Sequence, residues 1–226
     1  TEFFQSFSTI SQVSGDQQTG VVGQQLSQDL VVRAAYLSGG NAANVPITFS
    51  VVSGGGHIEG APAKTVLSDA QGIARVAWTL GTIAGLQTLT ATSEDNSVDF
   101  TATAAAGDPI SMLRTGGDGQ VLNPGLVFPQ PFAVKIVDAY GNPTPNQVVN
   151  FMVKAGNGNI NGAKQFAVMT DQQGLARVMW TPDPYLGPTN TLQAESSFQG
   201  IPLDNSPALW SFPGIAVDAQ KSTISV

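Results

Sequence analysis

The sequence predicts an all-β chain, and three observations lead to that prediction. Only 11% of the residues are charged, the chain contains 25 Gly and 14 Pro, and its uncharged polar residues are mostly Ser, Thr, Asn and Gln. Such a composition favours short strands joined by tight turns, because Thr and Val suit pleated sheets while Gly, Pro and Asn adopt turn conformations. Apolar and polar residues alternate along several segments, and one of these segments occurs twice.

The repeated segment predicts two homologous units. Residues 69–79, DAQGIARVAWT, recur 102 positions later as residues 171–181, DQQGLARVMWT. The same offset relates Phe49 to Phe151. It also relates the glycines at 54, 56 and 60 to those at 156, 158 and 162, and further along the chain the offset increases by one residue. Matches of this kind at a fixed period indicate a duplicated structural unit.

A short linker separates the two units. Small residues at 104–107 follow the last predicted strand of the first unit, and Asp108-Pro109 comes directly after them. We therefore predict domains at 1–107 and 108–226. Because the residue before a proline favours extended backbone, we expect the two domains to be arranged in tandem, end to end.

Alternation within each unit predicts which residues face the core. In residues 30–34 and 132–136 the first, third and fifth positions are apolar and the fourth is charged, so one face is predicted to be buried. Arg75 is predicted to point outward from the repeated segment, and closing strands are predicted at 98–103 and 208–212. The aromatic residues that these patterns place in the cores are Phe49, Trp78, Phe100, Phe151, Trp180 and Trp210.

Charge and cysteine content exclude several classes of function. The net charge is −7 and no basic cluster occurs, so we expect no binding to nucleic acid, which requires a basic surface. The absence of Cys excludes disulfides, thiolate metal sites and cysteine nucleophiles. No apolar run approaches the roughly 20 residues of a membrane span. The first residue is not Met, and we expect neighbouring domains of a longer polypeptide to be partners of this chain.

Several motifs resemble those of one protein family. Each unit opens with a Gly-Asp pair, and residues 45–49, VPITF, lead to the glycine triplet at 54–56. Asp69 and Gly72 precede the strand of Trp78. With these motifs, nearly the whole chain resembles the group-one bacterial immunoglobulin-like domains found in tandem in invasin, intimin and other bacterial surface proteins.

The resemblance implies an immunoglobulin-like β-sandwich for each unit, export to the bacterial cell surface, and a role as a stalk or in cell adhesion. It implies no particular receptor. The second copy contains the turn sequence AYGNP at 139–143 that resembles the family pattern, whereas the first copy departs from it at 37–41. Extra residues at 200–207 lengthen the last connection of the second copy.

The acidic residues and the single histidine are interpreted as structural. Asp69 and Asp171 precede glycines by three positions, which is typical of turns, although a calcium ligand is the alternative. Asp16 and Asp118 receive the same turn interpretation, and Glu94-Asp95-Asn96 is interpreted as a hairpin tip. His57 has no accompanying nucleophile motif. We therefore predict no catalytic residue, no cofactor and no metal site. The glycine triplet at 54–56 and residues 156–158, GNG, are interpreted as strand-end turns or bulges, since a phosphate-binding loop requires a following helix.

The second unit contains twelve of the fourteen prolines, and this distribution indicates its loops as the candidate binding surface. Prolines stiffen loops that contact partners, and they also protect sheet edges. Residues Tyr185, Leu186 and Phe198 are the predicted contacts to a host or surface protein or a glycan. We predict an extracellular, non-catalytic structural or adhesive module, and the alternative is a carbohydrate- or protein-binding accessory module of a secreted enzyme.

Overall fold

Alternating apolar residues form β-strands throughout the chain, and no α-helix occurs in the part that the structure describes. The computed structural model describes residues 7–36, 39–94, 96–123, 125–183 and 189–213. Contacts divide the chain into two compact units, Thr1–Gly107 and Asp108–Val226. A search of the described residues finds no helix suited to crossing a membrane.

The first unit is a β-sandwich that contains ten strands among its described residues. These strands are β1 (Phe7–Ser14), β2 (Gln18–Val21), β3 (Leu30–Tyr36), β4 (Pro46–Val51), β5 (His57–Ile58), β6 (Ala63–Leu67), β7 (Ile73–Val76), β8 (Trp78–Thr79), β9 (Gly85–Ser93) and β10 (Asn96–Ala105). One sheet has the order β1-β3-β7 and the other has the order β2-β10-β9-β4-β6, while β5 pairs with β8. The β2–β10 pair is parallel, and the other pairs are antiparallel.

The core of the first unit confirms the predicted alternation. The side chains of Leu30, Val32 and Ala34 on β3 are fully buried, whereas Arg33 between them is exposed. Arg75 is exposed in the same way on β7. The predicted aromatic residues of this unit are also fully buried, and the burial of each large apolar side chain contributes about 1.5–3 kcal/mol to folding.

The second unit repeats the sandwich with a modified edge. Its described strands are β11 (Ser111–Gly116), β12 (Phe132–Val137), β13 (Val148–Ala155), β14 (Gln165–Met169), β15 (Leu175–Val178), β16 (Thr189–Glu195), β17 (Ser197–Phe198), β18 (Ile201–Pro202) and β19 (Ala208–Pro213). One sheet has the order β11-β12-β15, the other has the order β14-β13-β16-β19, and β17 pairs with β18. Residues 120–123, which correspond to β2 in the repeat, form no strand, although they belong to the described part of the chain.

Aromatic side chains dominate the second core. The ring of Phe132 lies 5.1 Å from that of Phe128, 5.4 Å from that of Trp180 and 5.5 Å from that of Trp210, in edge-to-face arrangements that are favourable for aromatic pairs.

The prediction that only one face of β12 is buried is wrong. Ala133 faces the opposite side from Phe132 and is nevertheless buried, with only 6% of its surface exposed.

The extra residues of the second copy form an additional element. The sequence predicts only a longer connection at 200–207, but the structure pairs β17 with β18 as a short ribbon. After the ribbon, Asp204 forms a parallel bridge to Ser111, and Leu203 is buried against the core. The insertion is therefore held on both sides by backbone hydrogen bonds and apolar packing.

Candidate functional site

The two repeated aspartates form turns, as the sequence predicts. The Oδ1 atom of Asp69 accepts the backbone N–H groups of Gln71 and Ile73 at 2.8 and 2.9 Å. Asp171 accepts the two equivalent bonds at 2.9 and 3.0 Å. Side chains of this type stabilise turns by replacing a backbone partner, so the turn interpretation is confirmed for both residues.

The carboxylate of Asp171 is also paired with a cation. Backbone N–H donation from Leu175 has the largest effect on the pKa of Asp171 and lowers it. Desolvation has the next largest effect and opposes it, while N–H donation from Gln173 and the hydrogen bond and charge of Arg177 lower the pKa further, so that the net shift is downward. The Nη1 atom of Arg177 lies 2.9 Å from the Oδ2 atom of Asp171. Neighbouring donors therefore stabilise the ionised form of this carboxylate.

The turn interpretation is wrong for the carboxylate of Asp16, whereas Asp118 lies in a turn at 118–119. Asp16 accepts the backbone N–H and the hydroxyl group of Thr101 on β10, at 2.7 and 3.0 Å, and so connects two segments that are distant in sequence. Asp118 forms an exposed ion pair with Arg114 at 3.2 Å. The fold brings Thr101 close to Asp16, which a local sequence pattern does not reveal, whereas Arg114 precedes Asp118 by only four residues.

The predicted hairpin tip is confirmed where it is described. Ser93 at the end of β9 pairs with Asn96 at the start of β10. Glu94 between them has a φ of 46°, in the left-handed region that such tight turns require. Asp95 lies outside the described residues.

The single histidine serves a local turn. His57 is exposed, and its Nδ1 atom accepts the backbone N–H of Gly60 at 2.9 Å. Asn159, at the equivalent position of the second unit, accepts the N–H of Gly162 at the same distance. No described Ser or Asp side chain bonds to His57. The equivalence with an asparagine assigns this ring nitrogen a structural role.

The glycines interpreted as strand-end turns are close to the buried tryptophans. A Cβ atom on Gly56 would lie 2.4 Å from the carbonyl oxygen of Thr79, and one on Gly158 would lie 2.5 Å from that of Thr181. The indole nitrogens of Trp78 and Trp180 lie against these glycines and have no hydrogen-bond partner in the described part of the chain. The absence of a Cβ at these two glycines therefore lets the backbone of Thr79 and of Thr181 approach closely.

A buried aspartate in the second unit was not predicted from the sequence. Asp138 is only 4% exposed, and its Oδ1 atom accepts the backbone N–H groups of Tyr140 and Asn142, both at 2.9 Å. Its Oδ2 atom accepts the side-chain amide of Asn142. Asp138 thus organises the turn predicted at 139–143, and its position immediately before that motif was the available signal.

The predicted partner-contact residues fall in two places. Tyr185 and Leu186 lie outside the described residues. Phe198 lies on β17, is half-buried, and packs against the core cluster of the second unit. Among the residues searched, no three His, Asp or Glu side chains are grouped as a metal site would require.

The insertion forms one wall of a surface cavity of about 370 Å³ on the second unit. Strands β13 and β16 contribute its floor, and the β17–β18 ribbon with the residues that follow contributes its wall. The principal lining residues are Val148, Asn150, Glu195, Ser197, Pro202 and Pro207. This cavity was not predicted from the sequence, although the extra residues at 200–207 that line it were visible as a longer last connection in the second unit.

Hydrogen bonds fix the wall of the cavity to its floor. The backbone N–H of Ser196 donates to the hydroxyl oxygen of Ser206 at 3.0 Å, and the hydroxyl group of Ser196 donates to the carbonyl oxygen of Val148 at 2.7 Å. The N–H of Leu203 donates to the carbonyl oxygen of Ser196 at 3.1 Å. Ser196 therefore joins the insertion to both floor strands, and the cavity is pre-formed.

Glu195 supplies the charge of the cavity. It is the one ionisable side chain among the lining residues, and its Oε2 atom accepts the side-chain amide of Gln193 at 2.9 Å. In the described part of the chain no Lys, Arg or His forms an ion pair with it. Ala194 next to it is fully buried, so strand alternation directs Glu195 to the outer face of the sheet.

Comparisons with known proteins give similarity only among solved structures. No family model matches the sequence, and no curated protein matches it. Invasin, a bacterial integrin-binding protein, is 19% identical over 90% of this chain and 39% of its own, with a TM-score of 0.42. The adhesin InvE of Yersinia pseudotuberculosis is 18% identical over 92% of this chain and 60% of its own, with a TM-score of 0.42.

The Escherichia coli adhesin FdeC gives a TM-score of 0.48 at 14% identity, over 90% of this chain and 64% of its own. The chain thus spans between 39% and 64% of these three proteins. At these identities and scores the comparisons support no assignment of a ligand or partner.

Proposed function

We propose that this chain is a non-catalytic structural and adhesive module of an exported bacterial surface protein. The observation that carries the proposal is the duplication of its side-chain roles. Asp69 and Asp171 make the same turn bonds in the two units, and His57 makes the bond that Asn159 makes. Side chains engaged in this way with backbone N–H groups stabilise the sandwich, which leaves them unsuited to act as acids, bases or nucleophiles.

Binding is proposed for the second unit. The domains at 1–107 and 108–226 serve as consecutive structural units, with neighbouring domains of the same polypeptide as covalent partners. We propose Tyr185, Leu186 and Phe198 as contacts to a host or surface protein or a glycan, together with the cavity beside the β17–β18 ribbon. Loops on a rigid sandwich are where binding residues concentrate, and only the second unit carries the insertion.

A binding screen of the full chain tests this proposal. The purified protein is applied to arrays of glycans and extracellular-matrix proteins, with and without calcium. The variant Tyr185→Ala is compared with the matched control Tyr140→Ala, which removes an exposed tyrosine from the turn at 139–143 of the same unit. We expect saturable binding that Tyr185→Ala weakens and Tyr140→Ala preserves.

Each other outcome refutes a defined part of the proposal. Binding that both variants retain equally would exclude Tyr185 as a contact. Absence of binding throughout would refute the adhesive role and leave the structural role alone. Saturable binding to one purified polysaccharide, with none to proteins, would favour the accessory module of a secreted enzyme. Turnover of any arrayed substrate would contradict the non-catalytic assignment.

A further inference from the structure

The cavity beside the insertion has the chemistry of a site for a cation. Its lining combines the carboxylate of Glu195, the side-chain amide of Asn150 and the hydroxyl group of Ser197 with the apolar surfaces of two prolines. The Oε1 atom of Glu195 accepts no hydrogen bond from the described residues. A cationic group placed here would gain a charge-assisted hydrogen bond, which is about twice as strong as a neutral one.

The lining residues of the cavity disfavour anions, calcium and sugars as ligands. An anion would meet the carboxylate of Glu195 without a compensating cation in the lining. A calcium ion requires six to eight oxygen ligands, and one carboxylate does not supply its usual charge. No aromatic side chain lines the cavity in the described part of the chain, so a sugar ring would lack a stacking surface. The net charge of −7 attracts cationic partners at long range.

The shape of the cavity favours a long side chain with a polar end. Its volume of about 370 Å³ lies near the lower limit for small-molecule sites. Pro202 and Pro207 provide apolar walls along which an aliphatic stem can lie while its charged end reaches Glu195. The guanidinium group of arginine has five N–H donors in one plane, so it can bond to a carboxylate and to amide or hydroxyl oxygens together.

The first unit provides an internal comparison. The pair formed by Asn150 and Glu195 across β13 and β16 corresponds to the pair formed by Thr48 and Thr92 across β4 and β9. The Thr92 hydroxyl donates to the carbonyl oxygen of Thr48 at 3.3 Å. The unit without the insertion therefore also lacks the carboxylate. The carboxylate and the wall occur together, as expected for parts of one binding site.

We propose that this cavity receives an arginine side chain of a partner protein, with Glu195 as the anchoring group. This inference rests on the proposed adhesive function and specifies the chemistry of its partner. Asn150 and Ser197 accept further N–H groups of the guanidinium, and Pro202 and Pro207 contact its methylene groups. The partner presents the arginine on an exposed segment that can enter a cavity open to solvent.

An NMR titration of the full chain tests the proposal with a defined probe. Nα-acetyl-arginine N-methylamide is added to ¹⁵N-labelled protein, and the amide signals of Asn150, Ser196 and Ser197 are followed. We expect saturable shifts centred on these amides. The uncharged citrulline analogue, which has nearly the same shape, and the variant Glu195→Gln should each weaken binding at least about tenfold.

Two further variants keep the test independent of folding. Glu59→Gln removes a carboxylate from the first unit, where Glu59 pairs with Lys64, and should leave arginine binding unchanged. Ser197→Trp replaces an exposed wall residue with a side chain that fills the cavity, and should abolish the shifts. Preserved amide spectra elsewhere will show that each variant is folded.

Three results would overturn the inference. They are the absence of saturable shifts, equal binding of the citrulline analogue, and unchanged affinity in Glu195→Gln. If arginine fails in this way while the full chain still binds a matrix protein in the array screen, the arginine site is refuted and the adhesive function stands. If methyl glycosides saturate the same amides and arginine does not, the cavity is a carbohydrate site.

Discussion

The substitution Thr170→Val removes two hydrogen bonds from the interior of the second unit while preserving side-chain shape. Thr170 is 3% exposed, and its hydroxyl group donates to the carbonyl oxygen of Thr144 at 2.8 Å and accepts the N–H of Gln147 at 2.9 Å. Ser68 makes the equivalent pair of bonds in the first unit. In the second unit this hydroxyl group joins the residue after β14 to the segment before β13, and in the first unit it joins the residue after β6 to the segment before β4.

The expected loss of stability follows from the two polar groups that Thr170→Val leaves without a partner, the carbonyl oxygen of Thr144 and the N–H of Gln147. An unsatisfied buried donor or acceptor costs about 1–3 kcal/mol, and Thr170→Val leaves one of each. The N–H of Gln147 is only partly buried, so its cost lies toward the lower end. We expect the free energy of unfolding of the second unit to fall by about 2–4 kcal/mol. A domain with typical stability of about 5–15 kcal/mol remains folded after this loss.

Hydrogen exchange resolved by NMR measures the effect in each unit separately. The most slowly exchanging amides of β12 and β13 report unfolding of the second unit, and those of β3 and β9 report unfolding of the first. A loss of about 3 kcal/mol corresponds to roughly a hundredfold faster exchange. We expect this acceleration in the second unit and none in the first, which serves as a control within the same molecule.

The matched control is Thr115→Val. Thr115 is exposed on β11 and makes no side-chain hydrogen bond in the described part of the chain, so its replacement should leave exchange unchanged. Acceleration by Thr170→Val of less than about threefold would refute the reasoning, because it would mean that water satisfies both freed groups at little cost. Equal acceleration in both units would show instead that they unfold together.

Three further predictions concern the repeated turns and glycines. Gly158→Ala should lower the free energy of unfolding of the second unit by about 1–3 kcal/mol in urea denaturation, because its Cβ atom would overlap the carbonyl oxygen of Thr181; unchanged stability would show that the backbone at Thr181 shifts freely. Because the folded state lowers the pKa of Asp171, its contribution to stability is present above about pH 4 and is lost as the pH falls through the lowered value. The urea midpoints of the protein and of Asp171→Asn should therefore converge on acidification, and a constant difference would contradict this. His57→Asn should change thermal stability by less than about 0.5 kcal/mol, since Asn159 makes the same turn bond, and a larger loss would reveal another role for the ring.

Local patterns were sufficient to predict several of the strands and the turns at Asp69 and Asp171. The alternation in residues 30–34 identifies the buried side chains of β3, because successive side chains on a strand point to opposite faces whatever the partner strands are. Asp69 bonds to N–H groups two and four residues ahead, so its turn is encoded within a few positions. The repeat at 171–181 then transfers the conclusion on the turn to Asp171 in the second unit.

The sequence by itself therefore determined the all-β class, the duplication, six of the buried aromatic residues and the turns at Asp69 and Asp171, since each depends on composition or on spacing along the chain. Only the tertiary structure decided which distant groups meet. Asp16 bonds to Thr101, Ala133 is buried from the opposite face, and Glu195 shares a cavity with Pro207. These contacts depend on strand register and on how the insertion folds back over the sheet, and a polar residue in an exposed strand position gives no local sign of either.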